Sequence, residues 1–330
     1  MILTEQKIQI RHKSLILYEL QDSTGYRWSR TKQQKAIQIK EVKETTYSGK
    51  LTKGAKKRLS KAIDLLCQTV RPKSIYNEVT GRQITHRLSF ITLTISQKEN
   101  ITARESYDKG FKHFIQWLRR TKKVTTYVWK CEVQKRGQIH YHITTPSFIH
   151  YQEIRDKWNN IQRQNDWTND YFKLKGHHNP NSTDIKEVRK VSNLSAYLIK
   201  EFCKTIQNPE TEGKIWDCSL NLKKWKYYTI TETTDKTEIL SDMIDEKKID
   251  AIPTDYCIVL KMKNVSNTEI MDLKELKGYE DYLTMIRTYR QKEPIVNNIK
   301  NKSHDKLHNT TPIIPGGKKI KELTKKVLDE

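Results

Sequence analysis

The chain has 330 residues, 62 of them Lys or Arg against 39 Asp or Glu, and a net charge of +23 points to a polyanionic partner. With 35% hydrophobic residues it has material for one sizeable core with polar extensions rather than two full domains. No apolar run approaches the ~20 residues of a membrane span, the segment Met1 to Lys7 lacks a secretory apolar region, and five scattered cysteines (Cys67, Cys131, Cys203, Cys218, Cys257) without a Cys-x-x-Cys speak against a disulfide framework or a structural zinc site.

Residues 1–50 are polar and basic, with hints of strand at Leu15 to Tyr18, and are expected to form a peripheral N-terminal extension. Thr52 to Val70 reads as an amphipathic helix, with Leu59, Ala62, Ile63, Leu65 and Leu66 on one side and Lys53, Lys56, Lys57, Arg58 and Lys61 on the other. Lys56, Lys57 and Arg58 are candidates for phosphate contact. Ser89 to Ser96 alternates, with Ile91, Leu93 and Ile95 on one face and Phe90, Thr92 and Thr94 on the other, as a sheet strand does. Ser106 to Arg120 repeats Phe111, Phe114, Ile115 and Leu118 at helical spacing, and Tyr151 to Gln162 repeats Ile154, Trp158 and Ile161.

Between these helices, Tyr127–Gln134 and Gln138–Thr145 read as the arms of a β-hairpin. Side chains on a strand alternate faces. Trp129, Cys131, Val133, Ile139, Tyr141 and Ile143 then line one mostly apolar face, and Lys130, Glu132, Gln134, Gln138, His140, His142 and Thr144 the other. With the turn centred on Gly137, Glu132 is expected opposite His142 and Gln134 opposite His140. Two imidazoles, a carboxylate and an amide on one face form a mixed N/O set suited to Mn²⁺ or Mg²⁺, and also able to take Zn²⁺ or Ni²⁺. The β-α-β-β-α order predicts an α+β fold: an antiparallel β-sheet carrying this face, with helices packed on one side.

Within Thr183 to Gln207, a helical wheel gathers Val191, Leu194, Leu198, Ile199, Phe202 and Ile206 on one arc. Asn193, Tyr197, Lys200, Glu201 and Lys204 fall opposite, so Tyr197 points away from the helix's own apolar stripe. Ile215 to Leu220 and Trp225 to Ile230 are expected to close the same domain, which is placed at residues 51–235. Residues 236–290 then form a small C-terminal segment with a strand at Tyr256 to Leu260 and a helix at Met271 to Arg290, and 291–330 a disordered basic tail. The Pro315-Gly316-Gly317-Lys318-Lys319 run lacks the spacing of a phosphate-binding loop, so no nucleotide cofactor is expected.

Three segments in this order resemble the motifs of the HUH endonucleases, the superfamily of rolling-circle initiators, single-tyrosine transposases and conjugative relaxases. Phe90 to Thr94 is similar to the hydrophobic first motif, His140-Tyr141-His142 to the His-hydrophobic-His second and Tyr197-Leu198-Ile199-Lys200 to the Tyr-x-x-Lys third. The wording from Trp129 to His142, and Trp216 to Ser219 later, looks most like the replication initiators of small single-stranded DNA phages and plasmids. A single-tyrosine initiator is implied, since positions 201 and 202 are Glu and Phe where some relatives place a second tyrosine.

The resemblance implies that His140 and His142 bind a divalent metal, Mn²⁺ or Mg²⁺, with Glu132 as third ligand and Gln134 in reserve. It implies Tyr197 as nucleophile, Lys200 as its cation, and a nickase that leaves a 5′-phosphotyrosine and a free 3′-hydroxyl. Single-stranded DNA at a replication origin is the expected partner, met by Lys56, Lys57, Arg58, Lys135, Arg136 and Lys204 and by rings such as Tyr171 and Phe172, with Trp129 and Tyr141 assigned to the core. Host helicase and polymerase would act beside it in the cytoplasm of a bacterial host cell, with no membrane partner. A non-enzymatic basic nucleic-acid-binding protein, and an HUH transposase or relaxase, are the alternatives.

Overall fold

A computed structural model describes residues 4–11, 14–21, 51–77, 81–96, 101–134, 137–187, 194–202, 214–231, 244–254, 257–262 and 279–291. The fold is mixed α+β with antiparallel sheets and several helices. Among the described residues no helix is long and apolar enough to cross a membrane.

The central sheet has five strands, β5 (Ser89–Thr94), β6 (Val128–Val133), β7 (Ile139–Thr145), β8 (Thr183–Glu187) and β9 (Trp216–Cys218), in the spatial order β8-β5-β7-β6-β9. Strand alternation sends Ile91, Leu93, Trp129, Cys131, Ile139, Tyr141 and Ile143 to one face. That face is buried under α2 (Ala103–Ser106), a π turn (Tyr107–Phe111), α3 (Lys112–Arg120) and α4 (Tyr151–Gln164), which contribute Phe111, Phe114, Leu118, Ile154 and Trp158. Trp129 and Tyr141 are structural, as expected: Tyr141 lies flat on Phe111 with ring centroids 3.8 Å apart, and its hydroxyl bonds Ser106 Oγ at 2.6 Å. Gly110, in the π turn, lets the buried Trp167 ring approach: a Cβ there would meet Trp167 Cζ3 at 2.5 Å.

Helices were expected on one side only, but the second face of the sheet is covered at one end. There α1 (Lys53–Thr69), α6 (Leu194–Phe202) and the short α7 (Leu220–Lys224) bury Leu59, Ile63, Leu198, Phe202 and Leu222 around Val128 and Phe90. Thr52 caps α1 by accepting the Ala55 N–H at 3.1 Å. Every residue from Ala62 to Thr69 is buried, so α1 is amphipathic only in its first half and its second half is core.

A second five-stranded sheet, in the order β10-β1-β2-β12-β11, joins β1 (Thr4–Arg11) and β2 (Ser14–Gln21) to β10 (Tyr228–Thr231), β11 (Ile249–Pro253) and β12 (Ile258–Met262). Residues 4–21 are therefore not peripheral, and the expected boundaries at 50 and 235 separate strands that share hydrogen bonds. Tyr228 to Thr231 belongs to this sheet rather than closing the first. Its core of Ile8, Ile10, Leu15, Ile230, Ile249 and Leu260 meets Tyr282 and Leu283 of α8 (Tyr279–Gln291). From α8, the Arg290 guanidinium donates to the Gln68 and Thr69 carbonyls at 3.1 and 3.2 Å, closing the end of α1. A separate hairpin pairs β3 (Lys73–Asn77) with β4 (Arg82–His86). The expected tail at 291–330 lies, from residue 292 on, outside the described residues.

Candidate active site

The histidines stand on β7, and the hairpin that presents them closes differently from the expectation. Gln134 N–H donates to the Gln138 carbonyl and Gly137 N–H to the Gln134 carbonyl, both at 2.8 Å, and Gly137 takes φ +83°. Gly137 ends a three-residue connection instead of centring the turn, the arrangement in which a left-handed glycine follows a tight turn. Glu132 therefore lies opposite His140, and Lys130 opposite His142, two residues from the expected register. Because side chains repeat every second residue, an even slip leaves the face unchanged.

Cross-strand rows extend that face. Glu132, His140 and Thr94 form one row, and Lys130, His142, Thr92 and Asp184 the next. Phe90 follows, flanked by Thr144 and Lys186. Burial falls along the face: Val128, Lys130 and Thr144 are buried, Glu132, His140 and His142 half-buried, and Gln134 exposed. Sequence reasoning put Lys130 on this face without assigning it a part, yet it is 1% exposed beside His142 and its ammonium helps hold Glu132 ionised.

Thr92 Oγ1 lies 3.2 Å from His142 Nδ1, and Thr94 Oγ1 3.5 Å from His140 Nδ1, where each hydroxyl can accept a ring N–H and leave Nε2 with its lone pair. Gln134 Nε2 also reaches His140 Nδ1, at 3.3 Å. His142 Nε2 and Glu132 Oε2 are 3.4 Å apart. His140 Nε2 is buried without a hydrogen-bond partner. Burial foremost, and then His142, push the His140 pKa down to about 4 against the pull of Glu132, so His140 is neutral at pH 7. Contact with His142 foremost, and then the Lys130 ammonium, hold the Glu132 pKa down in spite of burial. A neutral imidazole and an ionised carboxylate are the forms that bind metals. The two imidazole centroids are 6.3 Å apart, and among the described residues no group of three or more His, Cys, Asp or Glu side chains is gathered as a metal cluster.

Helix α6 reaches this face through aromatic contact. Phe90 stacks on His142 with centroids 5.5 Å apart and meets Phe202 edge-on at 6.0 Å. Leu198 and Phe202 are buried, whereas Tyr197 is 46% exposed and Lys200 is exposed one turn along. Strand β8, ahead of α6, was not anticipated, because its Thr-Asp-Ile-Lys-Glu run carries one apolar residue. It brings Asp184 and Lys186 to the histidine face, their side chains paired at 2.9 Å.

Of the residues expected to meet DNA, Lys57 and Arg58 are exposed and Lys56 is half-buried, while Lys135, Arg136 and Lys204 lie outside the described residues. Phe172 is 44% exposed on α5 (Asn169–Lys175) and stacks on His178 at 4.4 Å. Trp216-Asp217-Cys218-Ser219 is a structural run: Ser219 Oγ accepts the Tyr127 N–H at 3.3 Å, and Asp217 pairs with Lys223 at 2.7 Å and with Lys214.

No curated protein and no solved structure matches the chain. A family model does match, that of the replication-associated protein ORF2, over residues 88–206. This span runs from the edge of β5 through the histidine hairpin into and beyond α6, so it takes in all three motifs. Residues 88–206 thus carry the signature of the replication-associated protein ORF2 family, consistent with a rolling-circle initiator of the HUH type.

Proposed function

We propose that the chain is a replication initiator that nicks single-stranded DNA at an origin by tyrosine transesterification and rejoins the strands during rolling-circle replication. The observation that carries this reading is the Phe90 ring, which touches His142 on one side and Phe202 of the Tyr197 helix on the other. That ring joins His142 to the helix that carries the exposed Tyr197. The family match over the same span supports a replication role.

In the reaction the Tyr197 oxygen attacks phosphorus, the new O–P bond replaces the bond to the 3′-oxygen, and the departing strand takes up a proton as a 3′-hydroxyl. The 5′-phosphotyrosine conserves the bond for rejoining. Phenol ionises near pH 10, so attack at neutral pH requires local positive charge, which the exposed Lys200 supplies one turn away. The sheet, anchored on its far face by a closed core, keeps the histidines rigid.

The donor set fits a divalent metal, Mn²⁺ or Mg²⁺. His140 Nε2 is buried without a partner, and His142 Nε2 and Glu132 Oε2 lie 3.4 Å apart on the same face. His140, His142 and Glu132 would hold it, with Gln134 beside them. The chemistry such an ion would supply there is Lewis-acid polarisation of a phosphate.

The test is a denaturing-gel assay with a pool of 3′-labelled single-stranded oligonucleotides and Mn²⁺. Wild type is expected to form a covalent 5′-adduct that Tyr197→Phe and chelation both abolish. An adduct persisting in Tyr197→Phe removes Tyr197 from the role, and none with wild type favours a non-enzymatic DNA-binding protein.

A further inference from the structure

Helix α5 lies outside the site described above and turns its apolar side chains outward. None of its seven residues is buried, and Phe172 and Leu174 are 44% and 76% exposed. At its end Gly176 takes φ +73°, a left-handed cap that turns the chain back on the helix. The reversal sets two successive histidines against two successive rings. His178 lies flat on Phe172, with centroids 4.4 Å and planes 8° apart, and His177 meets Tyr171 edge-on at 5.4 Å. Both imidazoles are tied down: His178 Nδ1 is 2.8 Å from the hydroxyl of the fully buried Thr168, and His177 Nδ1 accepts the Asn179 N–H at 3.2 Å. The rings are thus held in place while facing water, which lowers the ordering cost of a ligand that lies against them.

We propose that α5 and its capping loop form a stacking platform for single-stranded nucleic acid: unpaired bases lie on Phe172 and Tyr171, and the exposed Lys173 and Lys175 meet the phosphates. The proposal rests on the reading of the chain as a protein of single-stranded DNA, and not on the nicking step. Charge selects this occupant over a protein surface. Lys173 and Lys175 against Asp170 leave α5 positive within a chain of net charge +23, and a second copy of the chain, equally basic, is disfavoured. Aromatic rings with cations beside them suit bases, which stack whatever their sequence. The loop after Gly176 runs directly into β8, the edge strand of the sheet that carries the histidines. Stacking that merely closes the α5 turn would add stability and contribute nothing to DNA affinity.

Fluorescence anisotropy of a labelled oligothymidine, measured on the full chain in EDTA, reads binding without metal or turnover. Phe172→Ala is expected to weaken affinity about 5- to 150-fold, the range for one stacked base. Phe172→Trp should keep it, whereas Phe172→Leu, apolar but without a π face, should lose it as alanine does. Lys173→Ala with Lys175→Ala should flatten the slope of log affinity against log salt by about 1.4. Because no residue of α5 is buried, circular dichroism should be unchanged in each variant. Wild-type affinity in Phe172→Ala, or equal affinities in Phe172→Leu and Phe172→Trp, overturns the proposal. A dimer that Phe172→Ala dissociates in sedimentation, with DNA affinity unchanged, overturns it in favour of a second copy. The adduct assay decides nicking separately: a wild type that binds through Phe172 but forms no adduct defeats the nickase reading and leaves the platform, while an adduct with binding indifferent to Phe172 does the reverse.

Discussion

Replacing Phe90 by Leu keeps an apolar side chain on β5 but removes the ring that meets both His142 and Phe202. Aromatic pairs contribute roughly 0.5–1.5 kcal/mol each beyond the area they bury. Two such pairs give an expected loss of about 1–3 kcal/mol in urea unfolding. The Phe202 share can be separated, because Phe202 is 1% exposed and its own replacement by Leu removes the same contact from the other side. A double-mutant cycle of Phe90→Leu and Phe202→Leu should return a coupling of about 0.5–1.5 kcal/mol. If the ring contact anchors α6 to the histidine face, Phe90→Leu also raises backbone hydrogen exchange in α6 more than in α4, which packs on the opposite face. A coupling under about 0.3 kcal/mol, within the additivity expected of independent sites, with α6 and α4 exchanging alike, refutes the reasoning and leaves Phe90 an ordinary half-buried side chain.

Thr92→Val removes the hydroxyl 3.2 Å from His142 Nδ1 and should weaken Mn²⁺ binding, followed by calorimetry, by about 10–100-fold while circular dichroism stays unchanged. Gly110→Ala forces a methyl to 2.5 Å from the buried Trp167 ring, and its unfolding free energy should drop by about 1–3 kcal/mol in urea. Gln162→Leu strands the Ser96 N–H, which Gln162 Oε1 accepts at 2.7 Å, whereas the Ser182 hydroxyl keeps its bond to Asn159 Oδ1 at 2.8 Å; thermal unfolding should report a loss of about 1–3 kcal/mol for the one group left unpaired. Gly137→Ala places a Cβ at φ +83° and should cost about 1–2 kcal/mol in the same measurement.

What could be read in advance depended on how local the signal was. Ser89 to Thr94 alternates without interruption, so its faces followed from the residues alone, and the same parity argument gathered His140, His142, Glu132 and Lys130. The hairpin register escaped by two residues because alternation is blind to an even slip, and only the left-handed glycine at the end of the loop decides it. Strand β8 escaped because Ile185 is its one apolar residue, and an edge strand held by β5 on one side needs no more. The second sheet was illegible for a different reason: Ile8 pairs with Ile230 and Leu15 with Leu260, partners separated by most of the chain. In α1, the lysines of the first turns suggest a wet face, whereas the fully buried second half depends on α6 and α8, which arrive much later in the sequence.

The position of the site follows from how unevenly the sheet is covered. On the Trp129–Tyr141 face the helices close over every row, so that surface serves only stability. The opposite face is covered by α1 and α6 at the Val128–Thr144 end, and exposure rises along the strands to Gln134. The histidines fall between these extremes, where burial is sufficient to keep His140 neutral and to leave its Nε2 without a partner, while Glu132 and Tyr197 stay open to a ligand. Moved two residues toward Val128, the pair would be sealed under the helices; moved two toward the turn, it would be fully hydrated and would lose the desolvation that strengthens charge interactions.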